Sequence, residues 1–152
     1  MAEILTHQVG SLEYNESAVI DFPAGLPGFE DQTRFVLLDP PSSAPVVFLQ
    51  SLNMLNLCFL AAPVISIDPQ YELSVTPEDL RLLGLNEQRQ PQPVTEVLCL
   101  AILTAPENGP LTANLLAPVV VEIRSRRAVQ AVRIDSRYSH QHPLVPRERL
   151  CS

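Results

Sequence analysis

The sequence predicts an all-β domain, a closed or nearly closed antiparallel β-barrel or roll that carries one short helix. Three observations lead there. Proline is used 15 times in 152 residues and is spread along the whole chain, about twice the ordinary usage. An interior proline costs a helix about 3 kcal/mol, so long helices have little room. The apolar runs are short and bounded by proline, glycine, asparagine or aspartate, which is the pattern of strands separated by turns. Only one segment carries helix signals at both of its ends.

The apolar runs predict ten strands, over residues 4–9, 19–22, 34–38, 46–51, 57–61, 71–75, 94–103, 111–116, 119–123 and 129–134. After Glu96 the run to Leu103 is apolar on both parities, with Val97, Cys99, Ala101 and Leu103 on one side and Leu98, Leu100 and Ile102 on the other. Such a strand is expected to be covered on both faces. Runs 119–123 and 128–134 read as a hairpin whose polar connection holds Arg124, Arg126 and Arg127, and like charges packed this closely need solvent or an acidic partner. The helix is expected over 77–83. Thr76 caps it, Pro77 suits its first position, Glu78 and Asp79 favour its positive end, and Gly84 closes it. Leu80 and Leu83 share one face and would pin it over an open end of the sheet. Closing the sheet into a barrel protects its edges.

Charge bounds the partners. The net charge is −7, and it is uneven. Residues 1–79 hold 11 carboxylates against one arginine, a balance of −10, whereas residues 80–152 hold 6 against 9, a balance of +3. A net negative chain repels nucleic acid, so no direct RNA or DNA binding is expected, and a basic protein partner suits it better. The acidity also serves solubility. Cys58, Cys99 and Cys151 show no paired spacing, so no disulfide framework is expected. No apolar run is long enough to span a bilayer, and the first residues lack a basic region followed by an apolar stretch. No membrane association and cytoplasmic residence are the expectations.

A search for chemistry finds little. The chain holds no Gly-x-Ser-x-Gly, Cys-x-x-Cys or His-Glu-x-x-His motif and no glycine-rich phosphate loop. His140 and His142 are half of a zinc site at most, since zinc needs three or four ligands. Asp135, Ser136 and His140 include the residue types of a hydrolytic triad, but triads are assembled from distant segments. No catalytic residue, metal or cofactor is therefore assigned. Two motifs stand out instead. FPAGLPGFE at 22–30 forces a compact loop anchored by Phe22, Leu26 and Phe29. Phe22 is expected in the core, and Phe29 suits either the core or a contact surface. In TANLLAP at 112–118, Asn114 reads as a turn or bulge residue, or as a polar contact beside exposed leucines.

Together, FPAGLPGFE at 22–30, FLQS at 48–51, TPEDL at 76–80, TANLLAPVVV at 112–121 and DSRYSHQHPL at 135–144 resemble the FliW family of flagellar assembly factors. The resemblance implies one β-barrel-like domain over 1–144, followed by a short tail, 145–152. It also implies a non-enzymatic regulator, monomeric when unbound, with two protein partners: flagellin and the translational repressor CsrA. In such a switch, flagellin holds the regulator until flagellin is exported. Once free, the regulator binds CsrA and relieves repression of flagellin translation. The partner-contact candidates are Pro27, Gly28, Phe29, Glu30, Asn114, Leu115 and Tyr138, chosen because they lie in the matching motifs and could reach the surface. Gln141 stands where the family commonly has an arginine, a departure that weighs against an ionic role there. Alternatives are a chaperone that shields flagellin without switching, or a small-ligand or metal-binding barrel.

Overall fold

A computed structural model describes residues 2–6, 10–105, 107, 109–135 and 137–144, with side chains from Tyr14 onward. β1 (Ala2–Thr6) and β2 (Gly10–Tyr14) form an antiparallel hairpin of their own, with Ile4 opposite Leu12. The main sheet is built from β3 (Val19–Asp21), β4 (Arg34–Leu38), β5 (Val47–Ser51), β6 (Cys58–Pro63), β7 (Val97–Thr104), β8 (Thr112–Ala113), β9 (Val119–Glu122), β10 (Ala128–Gln130) and β11 (His142–Pro143). It runs β3-β4-β5-β6-β7-β9-β10, and β8 joins the end of β7 with β11 outside it. All of these pairings are antiparallel. The sheet curls until its first strand meets its last turn. There the Asp21 N–H donates to the Arg126 carbonyl at 2.9 Å, and Asp21 pairs with Arg127 in a lone parallel bridge. The expected nearly closed roll is thereby realised.

β7 is the spine of this roll. Val97, Cys99, Ala101 and Leu103 point into one core with Leu80, Leu83, Leu115 and Val129. Leu100 points into the other with Phe22, Leu26, Phe35 and Leu49, and Leu98 and Ile102 pack against that cluster. The two-sided apolar pattern after Glu96 is the local cause. A strand whose two faces are both apolar is stable only when both are covered.

Two helices cover the first core. α1 (Val64–Ile67) is a single turn after Pro63, and α2 (Pro77–Leu83) is the helix expected from its caps. Thr76 Oγ1 accepts the Asp79 N–H at 3.2 Å. Gly84 closes the helix in the left-handed region, at φ +76°, donating its N–H to Arg81. A glycine takes that conformation without a Cβ penalty. Leu80 and Leu83 are both 1% exposed, so the helix is held by its apolar face as well as by its caps.

Several expected strands are shorter, and one is absent. The 94–103 run becomes a strand only at Val97, because Val94 turns the chain at φ +75° and the Glu96 N–H bonds back to the Gln92 carbonyl at 2.9 Å. The 129–134 run stops at Gln130. Opposite Ala131 stands Pro118, which accepts the Ala131 N–H at 2.8 Å but has no N–H to return. The 111–116 run is cut to Thr112–Ala113 by the turn at Asn114. Residues 71–75 form no strand, because side chains take their backbone bonds. Tyr138 Oη accepts the Glu72 N–H at 3.0 Å, and Gln90 bonds both the N–H and the carbonyl of Val75, at 2.8 and 2.9 Å. β2, β11 and α1 were not expected. The 4–9 run is strand over Ala2–Thr6, and residues 7–9 lie outside those described.

Candidate functional site

The loop 22–30 is rigid by construction. Phe22 is fully buried, with its ring 5.2 Å from that of Phe35 in an edge-to-face contact. Its carbonyl accepts the Gly25 N–H at 2.9 Å. Leu26 and Phe29 exchange both backbone hydrogen bonds, at 3.3 and 2.7 Å, and the Gly28 N–H donates to Glu30 Oε2 at 2.8 Å. Phe29 is half-buried against Phe59, their rings 5.7 Å apart. It therefore supports the core while keeping one edge at the surface. Pro27, Gly28 and Glu30 are exposed.

Gly25 is the hinge of this geometry. It sits at φ +66°, and a Cβ there would lie 2.5 Å from the Glu30 carbonyl oxygen. Neither the conformation nor the backbone neighbour can give way cheaply, so Gly25→Ala is expected to lower stability by about 2 kcal/mol. Equilibrium urea unfolding measures this. A change within a few tenths of wild type would mean that the loop does not hold this turn.

The loop borders a cleft of about 210 Å³, where Pro27 and Glu30 face Asp79 and Leu82 of α2 and Gln130 of β10. Two carboxylates line it, the exposed Glu30 and the half-buried Asp79, and Glu78 lies beside Asp79. Burial pushes the Asp79 carboxyl above its ordinary value; the Thr76 hydrogen bond opposes this and the Glu78 charge adds to it. The strongest local signal in the sequence and the helix start are thus brought together as one stiff acidic surface.

The other candidates gather elsewhere. Tyr138 packs on Tyr71, with ring centroids 4.3 Å apart. Arg133, only 7% exposed, lies beneath them with its guanidinium carbon 4.9 Å from the Tyr138 centroid. It donates in a fork to Asp135 at 2.9 and 3.0 Å and also to the Glu72 carbonyl. Arg137 bonds the Glu72 carboxylate at 2.6 Å. The Tyr71 hydroxyl donates to the Leu115 carbonyl at 2.6 Å, and burial, opposed by Arg133, pushes its pKa up to about 12. Asn114 is half-buried, and its Oδ1 accepts the Ala117 N–H at 3.0 Å, which is the expected turn role. Leu115 corrects the sequence reading. Its side chain is 1% exposed, so it does not reach the surface, and Asn114 is not flanked by an exposed Leu115.

Phe29 therefore packs against one core, and Leu115 and Tyr138 against the other. Sequence reasoning missed Tyr71, Glu72, Asp79 and Arg133. The available signal for Arg133 was a charge inside the apolar run VQAVRI. His140 is exposed, and His142 is half-buried in β11 opposite Ala113. Among the described residues no three His, Cys, Asp or Glu side chains are gathered as a metal would require. Burial raises the thiols of Cys58 and Cys99, the latter to about 12, which leaves Cys99 a small apolar filler. Cys58 is half-buried rather than enclosed. Ser136, Cys151 and the tail 145–152 lie outside the described residues.

The fold and its loop define a class: small, mostly antiparallel β-rolls in which a stiff proline and glycine loop is set against a capped two-turn helix. The family model described as FliW protein matches residues 3–144. The chain belongs to the FliW family. It is 32% identical over 143 residues to "Flagellar assembly factor FliW" of Syntrophomonas wolfei, covering 93% of this chain and 88% of that protein. It is also 32% identical to the protein of the same description from Bacillus subtilis, covering 93% and 95%. A solved structure described as "Crystal structure of the flagellar assembly factor FliW" superposes with a TM-score of 0.80 at 30% identity, covering 95% of this chain and 98% of that one.

Proposed function

We propose that this protein is a non-catalytic regulator of flagellar assembly that holds one of two proteins at a time, flagellin or the translational repressor CsrA. When free of flagellin it binds CsrA in the cytoplasm and relieves repression of flagellin translation. Two competing equilibria suffice, because each partner withdraws the regulator from the other by mass action. Family membership supports the flagellar role. The observation that supports CsrA as a partner is the stiff acidic surface at Pro27, Gly28, Phe29 and Glu30, with Asp79 across the cleft. A repressor that binds RNA must expose positive charge, and a preformed acidic surface meets it with little ordering cost. Asn114 and Tyr138 extend the contact set on the other side of the roll, and the buried Leu115 supports Tyr71 there through its carbonyl. Among the described residues no helix is long and apolar enough to cross a membrane.

Calorimetry tests this reading. CsrA is expected to bind at sub-micromolar to micromolar Kd, more weakly in raised salt, and Glu30→Lys is expected to weaken binding about tenfold. No heat with either CsrA or flagellin would sink the proposal. Titrating flagellin into the preformed CsrA complex separates switching from simple shielding, since switching requires release of CsrA.

A further inference from the structure

We infer that the turn between β9 and β10, with the apolar cleft beside it, is a second docking surface, one that takes an acidic protein segment. That segment would place an aliphatic side chain in the cleft and its carboxylates on the arginines of the turn.

The charge distribution comes first. Five arginines of the described residues are in ion pairs: Arg34 with Glu16, Arg81 with Glu87, Arg89 with Glu96, Arg133 with Asp135 and Arg137 with Glu72. The remaining three, Arg124, Arg126 and Arg127, are all exposed on this one turn, with no carboxylate partner among the described residues. In a chain of net charge −7, these unpaired cations stand together on four consecutive positions. The nearest acidic residue in sequence, Glu122, does not neutralise them. It is 8% exposed, and its carboxylate accepts the N–H groups of Arg124 and Ser125, at 2.8 and 3.2 Å. Asp21, which meets the turn through its backbone, makes no ion pair with it among the described residues.

The turn is also preorganised. Arg126 donates its N–H to the Glu122 carbonyl at 2.8 Å and accepts from Asp21 at 2.9 Å. It is held at φ +61°, a conformation in which glycine would be unstrained. The sequence places a long cation there instead, and that residue forms the rim of a cleft of about 250 Å³. Its other walls are Ala18, Ile20, Leu37, Leu98, Val121 and Ile123. Ile123 is 42% exposed. Arg127 extends toward the end of α2, its Nη1 lying 3.2 Å from where a Cβ on Gly84 would stand.

An aliphatic cleft rimmed by the unpaired Arg126 guanidinium, with Arg124 and Arg127 on the same turn, is complementary to an aliphatic side chain flanked by carboxylates. A nucleic acid fits less well. Its phosphates would be repelled by the acidic remainder of the chain, and the cleft has no aromatic wall on which a base could stack.

The test is a titration of the ¹⁵N-labelled protein with the capped peptide Asp-Glu-Leu-Leu-Asp-Glu. Saturable shifts are expected in the amides of Ile20, Leu98, Ile123 and Arg126. Binding should weaken at least tenfold when serines replace the leucines, when lysines replace the acids, or in about 0.5 M salt. Arg124→Glu should weaken it to the same degree. Arg126→Gly relieves the backbone strain, so it should weaken binding while melting no lower than wild type, and this keeps the test valid if Arg124→Glu fails to fold. Absence of saturable shifts in the cleft overturns the inference, as does binding indifferent to charge reversal. Tighter binding of a short RNA or of phosphatidylserine vesicles at the same amides also overturns it. Peptide binding does not depend on CsrA or flagellin, so loss of either conclusion leaves the other standing.

Discussion

Phe22→Ala is expected to cost about 3–5 kcal/mol in urea unfolding, the largest effect foreseen for a single side chain here. The ring is wholly enclosed by the second core, and its edge-to-face contact with Phe35 adds to the apolar area removed from water. Its loss has a further effect, because the buried ring fixes the position of the Phe22 backbone, whose carbonyl accepts the Gly25 N–H at the start of the loop. The CsrA binding proposed above should therefore weaken together with stability. Phe22→Leu refills most of the volume and should cost about 1–2 kcal/mol. A loss below about 1 kcal/mol for the alanine variant would contradict the packing described.

Arg133→Ala is expected to cost about 2–3 kcal/mol and to lower the Tm by about 5–10 °C for a domain of this size. Little of this comes from the ion pair. The Asp135 side chain is 51% exposed, and water screens such a pair. The cost lies in the Glu72 carbonyl, which loses its donor, and in the void left under the Tyr71 and Tyr138 rings. Arg133→Lys keeps the charge but not the planar fork, so it should recover less than half of the loss. Recovery to wild type with lysine would show that charge alone suffices. Tyr138 fluorescence should become more solvent-like in the alanine variant, which reports loosening of the stacked pair.

How much of this was legible in the sequence depended on whether the cause was local. The helix at 77–83 was readable to the residue, because caps, proline and glycine act within one turn. Strand 34–38 and the double-sided run after Glu96 were readable because apolar periodicity directly reflects burial. Strand ends were not. Pro118 ends the ladder of a neighbouring strand that lies about ten residues further along the chain, and only the pairing register reveals that its missing N–H faces Ala131. The loop 22–30 was legible as a rigid element, whereas its placement opposite Asp79 required the fold. Leu115 misled because an apolar residue beside a turn asparagine resembles a surface contact. Burial of its side chain comes from the 71–75 segment and Tyr138, distant in sequence.

The segment 71–75 has a consequence beyond the strand it fails to form. Its composition, Tyr-Glu-Leu-Ser-Val, alternates in the way that invites a stray chain to zip alongside. Four of its main-chain groups are instead stoppered by Gln90, Tyr138 and Arg133. The domain is thereby denied one template for fibre growth, and the protection resides in side chains far along the chain. Loosening those stoppers would make the molecule sticky before it made it unfolded.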